Sequence, residues 1–301
     1  LYYNDEKQIR ARVPNYDTQN PLYSGFAYVT QEVEGSDTAM VCYDPDAIGA
    51  GKWRRPSKAI LDIFPGYNYG NRRVQVIEVD TGNNRFHVNK LDYKPLKGDR
   101  FFVENIFEEL DMAGEWYFDD ENHVLYFWPP DDGKPFRGNV SIPAVDSLAI
   151  FDGAKYIQLS GFDLRYCNKS AIVIKESEYI TIAACSISDV DEKAVELLPV
   201  SRHNKIISNE ITRTGDFAIM ITAPLLKYDQ ASYNLVSNNH VHHYGTLMKE
   251  TAGIAVFGGG DNIISHNLIH HAPRWGIMIN SGANNIVEYN HIHDMSLETE
   301  D

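Results

Sequence analysis

The chain has little with which to cross-link itself, enter a membrane or attract a polyanion. Three cysteines, Cys42, Cys167 and Cys185, are too few and too scattered for a disulfide framework, and none stands in a Cys-x-x-Cys pair. They leave the redox compartment open. No apolar run approaches the roughly 18 residues of a membrane span, and no signal peptide is visible at Leu1. Because the chain opens without Met, we expect a segment upstream, a secretion signal included, and an extracellular or periplasmic location. Basic residues are scarce too: 27 against 42 acidic ones, for a net charge of -15. Nucleic acid and anionic membrane would be repelled at long range, which points to neutral or cationic partners. Nothing in the sequence specifies an oligomeric state.

What is present is enough for a substantial core, since 43% of the 301 residues are hydrophobic. From about residue 149 the chain repeats itself. One part of the repeat opens on a small residue: Ala171-Ile-Val-Ile174, Ala194-Val-Glu-Leu197, Ala218-Ile-Met-Ile221, Gly253-Ile-Ala-Val256 and Gly276-Ile-Met-Ile279. The other is a strand of the form x-I-x-x-N-x-I, which puts Phe162, Cys185, Asn209, Asn239, Asn267 and Asn290 in one column with steps of 23, 24, 30, 28 and 23. Each step is one coil. Two residues on, the column reads Leu164, Ile187, Ile211, Val241, Ile269 and Ile292; three residues back it reads Leu159, Ile182, Ile206, Val236, Ile264 and Val287. Both are apolar throughout, and no helical period competes.

Near-constant spacing with one inward apolar face is what a solenoid of parallel strands requires, because each coil buries its face only by stacking on its neighbours. An inward Asn at a turn can bond its equivalents above and below at the strand spacing of about 4.8 Å. The fold class is therefore read as all-β: a right-handed single-stranded parallel β-helix over 149–301, with a small β-domain inserted near the N-terminus.

The first half lacks the repeat. Val74 to Val79, the turn Asp80 to Asn84, and Arg85 to Val88 predict a hairpin; Gly114 to Phe118 with His123 to Trp128 predicts another. Only Val103 to Leu110 suggests a short amphipathic helix. Residues 23–92 are read as the inserted β-domain, and 1–22 with 93–148 as a segment capping the solenoid, whose open end would otherwise expose a sheet edge.

The segment Phe101 to Phe118, followed by Leu125-Tyr-Phe-Trp-Pro-Pro130, resembles a hallmark of β-helix glycoside hydrolases, the families that hold β-xylosidases and the related fucosidases and xylanases of pectin and hemicellulose breakdown. The opening Leu1-Tyr-Tyr-Asn4 with Arg10 to Asn15, and the closing Asn290 to Asp294 with Leu297 to Asp301, are similar to the same proteins. The resemblance implies a catalytic Asp at Asp301, the start of an Asp-x-Gly-Ala motif, and further coils beyond it that carry part of the catalytic machinery. On that basis we expect the chain to be a piece of a longer enzyme, inactive by itself.

Turn lengths locate a pocket without the resemblance. From the end of one x-I-x-x-N-x-I strand to the next small residue the gap is 7 residues in four coils, but 12 from Val241 to Gly253, and 9 residues already follow Ile292 at Asp301. Two long turns flanking a short one make walls and a floor. The walls would carry His242, His243, Tyr244, Lys249 and Glu250 on one side and His293, Asp294, Glu298, Glu300 and Asp301 on the other, over a floor of His270, His271, Arg274 and Trp275. Carboxylates, imidazoles, a guanidinium and an indole suit a sugar, whose hydroxyls take polar partners and whose apolar face stacks on a ring.

Asp301, Glu250 and Glu298 are the candidate catalytic carboxylates. His243, His271, Arg274, Trp275, Asp294, Glu300 and Asp216 are the candidate substrate-binding residues. The plainer readings are a solvated acidic run for Glu298, Glu300 and Asp301, and a turn cover for Trp275. Outward His242, His270 and His293 stack in successive coils; such a column could be a metal site, but with no ligand set of firm spacing it is read as a solvated polar face, and no metal and no cofactor is assigned. Glu108, Glu109 and Glu115 read as structural, and Trp116, Tyr126 and Trp128 as packing.

The leading function is hydrolysis of a plant cell-wall or related glycan. A polysaccharide lyase would need cations to neutralise a uronate and a Lys or Arg base, and few basic residues face the expected pocket, Lys249 and Arg274 being the best placed. A non-catalytic β-helix adhesin or tailspike-type module would have evenly short turns and no acid cluster.

Overall fold

The computed structural model describes residues 1–33, 39–130, 137–224, 227 and 230–300. The chain divides into two compact units, Leu1–Ile142 and Pro143–Asp301.

The first unit is built on a seven-stranded antiparallel sheet. Both predicted hairpins are present: Arg72–Asp80 pairs with Arg85–Val88 through a bulge between Val76 and Glu78, and Glu115–Asp119 pairs with Val124–Phe127. The large sheet takes in Met40–Cys42, Ile60–Ile63 and this first hairpin, but also Arg12–Val13 and Arg100–Glu104 from outside 23–92. Its core is apolar, with Phe86 stacked between Tyr43 at 4.4 Å and Trp53 at 5.8 Å. The short helix expected over Val103 to Leu110 does not form. Arg100–Glu104 is a strand, Asn105 turns the chain at φ 68° while donating to the Lys58 carbonyl, and only Phe107–Glu109 makes a 3-10 turn. An Asn in the left-handed region cannot continue a helix. The glutamates of this segment are bound within the unit: Glu108 to Arg54 at 3.1 Å, and Glu109 to Lys52 at 2.9 Å and to the Trp53 indole N–H.

Glu115 is fully buried and accepts backbone N–H groups from Arg12, Asp111 and Met112 at 3.1–3.3 Å. Burial pushes its carboxyl up to about 7 against those donors.

The second unit is the solenoid. Three parallel sheets of six strands each run along it, one strand per coil in each sheet. The x-I-x-x-N-x-I segment is not one strand. It breaks into two, for example Lys205–Ile207 in the second sheet and Glu210–Thr214 in the third, because Ser208 turns the chain at φ 58°. Gly161, Ala184, Asn238, His266 and Tyr289 do the same in the other coils. A single left-handed residue makes a sharp corner without a loop. A second such column, Tyr156, Tyr179, His203 and Tyr233, turns the first sheet into the second, and its rings stack at 4.8–5.0 Å. A third leaves the third sheet at Tyr166, Asp189, Arg213, His243, His271 and Asp294.

Inside, the apolar columns fill one continuous core. The Asn209, Asn239, Asn267, Asn290 column is a ladder in which each Nδ2 donates to the next Oδ1 at 2.9–3.0 Å. The same Oδ1 accepts the preceding rung's backbone N–H at 3.0 Å, and each Nδ2 also reaches a carbonyl one coil back, as Asn239 does to Ile206 at 2.9 Å. An equivalent ladder runs through Asn204, Asn234, Asn262 and Asn285. These amides satisfy the backbone groups that each corner takes out of the sheet pattern.

Two expectations follow. Asn239→Ala strands the Asn209 amide N–H and the Ile206 carbonyl in the core and should cost about 3 kcal/mol or more in chemical denaturation. The half-buried end rung Asn290→Ala should cost clearly less, and equal costs would show that the ladder does not hold the coils. For Glu115, a folded value near 7 against 4.5 unfolded means that its contribution is present below pH 4.5 and is lost as pH rises to about 7. Three of the four tryptophans, Trp53, Trp116 and Trp128, lie with Glu115 in the first unit, so in a Trp275→Phe background tryptophan fluorescence follows its unfolding in urea, and the unfolding free energy should fall by roughly 3 kcal/mol across that window. Glu115→Gln should flatten that slope whatever its effect on the level; an unchanged slope would place the pH dependence elsewhere.

Candidate functional site

The turns from the third sheet back to the first differ in length, and the long ones make one edge of the solenoid. Residues 243–251 fold over 214–216: Thr246 N–H donates to Thr214 O, and Leu247 and Met248 N–H both donate to Gly215 O. Gly245 sits at φ 68°, where an added Cβ would come within 2.6 Å of Pro273 Cγ and closer still to Thr251, so this turn requires glycine. Residues 294–300 run beside the short turn 271–274: Leu297 N–H donates to Ala272 O, Ser296 N–H to Arg274 O, and Thr299 Oγ1 to Pro273 O at 2.8 Å.

Ion pairs knit these turns together. Lys249 Nζ, held at 3.0 Å by the Gly245 carbonyl, bridges from its turn to Glu298 at 2.9 Å. Glu250 Oε1 meets Arg274 Nη1 at 3.2 Å, and the buried guanidinium lies 3.8 Å over the Trp275 ring. Asp216 stands one coil before Glu250. Burial raises its pKa, opposed by Lys193, whose ammonium is 3.7 Å away and also within 3.5 Å of Glu192 and Glu196. Lys193 and Glu196 are each largely buried, and Glu196 accepts from Ser170 Oγ at 2.8 Å.

Of the residues singled out by sequence, Glu250, Glu298, Arg274, Trp275 and Asp216 thus share the turn edge. His243 and His271 stack on one another at 4.7 Å, with Asp294 3.6 Å from His271 and 2.8 Å from His293. These three are corner residues, brought together as a column of their own. Glu300 is exposed, and Asp301 lies outside the described residues. Tyr244 does not line a wall: its side chain is buried, and its hydroxyl donates to the Trp275 carbonyl at 2.6 Å. Lys193 and Glu196 were missed, although Lys193 directly precedes the small residue of its coil, as Trp275 does.

Next to the corner, the outward face of the third sheet is a field of imidazoles. His242, His270 and His293 stack at 5.1 and 4.9 Å, as their column predicts, joined by His240 and His291. Burial and the neighbouring rings lower His270 to about 4. Glu210, not singled out from the sequence, accepts from His240 and His242. In the first unit, a hollow of about 140 Å³ is lined by Phe107, Tyr117, Tyr126, Arg54 and Arg55, but both cations are paired there, to Glu108 and to Asp119 with Glu121.

A solved structure named "Glycoside hydrolase" superposes on 93% of this chain with a TM-score of 0.62 at 14% identity, and the chain spans 60% of its length. An alginate lyase from Paenibacillus sp. str. FPU-7 matches over 48% of this chain and 58% of its own, with a TM-score of 0.39 at 20% identity. A tailspike of Pseudomonas phage phi297 matches over 88% and 47%, with a TM-score of 0.24 at 9% identity. No curated protein matches in sequence. The first likeness is one of fold. The family model described as "Right handed beta helix region" matches residues 139–246 and 170–298, which together span more than half of the sequence. The chain belongs to the right-handed β-helix family.

Proposed function

We propose that this chain carries the glycan-binding edge and part of the catalytic machinery of a glycoside hydrolase that acts outside the cytoplasm on plant cell-wall or related glycans. One observation carries the reading: on the turn edge, carboxylates of consecutive coils sit in different settings, each beside a cation but only Asp216 raised by burial. Asp216 is largely buried with a raised pKa, and Glu250 is clamped by a guanidinium. Glycosidases divide their work between a carboxylic acid that protonates the leaving oxygen and a carboxylate that faces the sugar carbon or its attacking water. Asp216 fits the first role and Glu250 the second. Trp275 offers a ring for the apolar sugar face, and Glu298 closes the far wall through Lys249. Asp301 is kept as a third carboxylate on the strength of the resemblance. His243, His271, Asp294 and Glu300 are proposed to meet outer sugar units.

The fold also suits a polysaccharide lyase, and Lys193 adds a third cation to Lys249 and Arg274. Each of these is paired with carboxylates of the chain, which opposes binding of a uronate. No helix among the described residues is long and apolar enough to cross a membrane.

The test uses the full-length protein on xylo-oligosaccharides and oligogalacturonates with mass analysis of the products. Hydrolysis adds water across the bond; elimination leaves an unsaturated uronate and would overturn the reading. Asp216→Asn should lower kcat/KM on oligosaccharides about 100- to 10,000-fold and much less on aryl glycosides, whose leaving groups need no proton. It should also remove the alkaline limb of the pH profile, because the acid is lost as pH rises through its raised pKa. Glu250→Gln should suppress both substrate types. Near wild-type turnover of oligosaccharides by Asp216→Asn would exclude it as the acid.

A further inference from the structure

Glu210, His240 and His242 project from the outward face of the third sheet, and their carboxylate and imidazole atoms all lie within 4.8 Å of one another. Glu210 and His240 are Cα partners on adjacent strands, and His242, two residues on, shares the face of His240. The carboxylate sits between the rings, with Oε2 2.8 Å from His240 Nδ1 and Oε1 2.7 Å from His242 Nε2. Two of the three residues directly follow rungs of an asparagine ladder, Asn209 and Asn239, so their backbone is pinned from the core side. In the next coil Leu268 takes the place of His240, and the set does not repeat.

We infer that Glu210, His240 and His242 form a binding site for a borderline divalent transition ion of the Zn2+ class, with solvent completing its coordination. Two imidazole nitrogens and one carboxylate are the donor set such an ion takes in open three-ligand sites, whereas Ca2+ and Mg2+ take oxygen. The 2.7 and 2.8 Å contacts use different oxygens of Glu210, so to reach the roughly 3.3 Å edges of a tetrahedron with bonds near 2.0–2.1 Å these contacts open while the other donor separations, now within 4.8 Å, close. Side-chain exposures of 46%, 37% and 18% for Glu210, His240 and His242 leave one side open to water.

The surroundings also provide for the protons. With an ion on His240 Nδ1 and His242 Nε2, the opposite nitrogen of each neutral ring carries its proton. His240 Nε2 then donates to His270 Nε2, 2.8 Å away, and His242 Nδ1 to His243 Nδ1 at 2.7 Å. Such outer partners fix the tautomer and orientation of metal-binding imidazoles.

Calorimetric titration of chelator-treated full-length protein with Zn2+ should show one tight equivalent and a rise in melting temperature that chelator reverses. The His240→Ala/His242→Ala variant should lose that equivalent, and Glu210→Gln, which preserves size, should weaken it if the double variant folds poorly. His270→Ala should weaken binding about 10- to 100-fold as an outer partner. His266→Ala, at a corner against Tyr289, should leave it unchanged. Absence of a stoichiometric site in the parent, or its survival in both ligand variants, would overturn the inference.

Discussion

Two columns of asparagine side chains, each amide donating to the next at about 3 Å, are what allow this chain to turn sharply and still keep its coils in register. At the corners on either side of the second sheet every coil bends at single left-handed residues instead of at loops, which removes backbone groups from the sheet pattern inside the core. The asparagines supply the missing donors and acceptors at the strand repeat, where an apolar residue would leave them unpaired. With those corners fixed, the Ile and Val columns stack directly on one another, and each coil inherits the position of the one before it. The cost of losing a rung is therefore greater in the middle of a ladder than at its end.

A register this tight turns sequence distance into position. Side chains one coil apart on the third sheet or its corner sit about 5 Å apart, close enough for the imidazole stack, for the Asp189–Arg213 pair, and for Glu210 to reach two histidines. The turns are exempt from the register and carry the variation. Where the turn lengthens at 243–251 it carries Lys249 far enough along the edge to cross to Glu298, while Glu250 meets Arg274. Burial beneath these turns is what raises Asp216.

Much of this was legible in the chain. The Asn209, Asn239, Asn267, Asn290 column with its flanking Ile and Val marks the solenoid, and the long gap from Val241 to Gly253 marks the edge on which Glu250 and Arg274 meet. The second ladder was equally visible, as an Asn five residues before each rung, but a strand written x-I-x-x-N-x-I hides the corner within it. A left-handed Ser208 or Tyr289 has no compositional mark, unlike Gly161. Tyr244 reads as a wall because a turn tyrosine is usually exposed; here its ring fills the core and its hydroxyl caps the Trp275 carbonyl. Glu210 and His240 escape notice because their partnership spans 30 residues, a separation set by loops on other edges of the same coil.

The most direct test of the turn edge as the glycan site is hydrogen exchange on the full-length protein with and without saturating xylo-oligosaccharide or oligogalacturonate. Protection should appear in 243–251, 271–275 and 294–300. Protection confined to the Tyr156, Tyr179, His203, Tyr233 corner or to the Phe107, Tyr117, Tyr126 hollow, or no change with either glycan, would contradict the account.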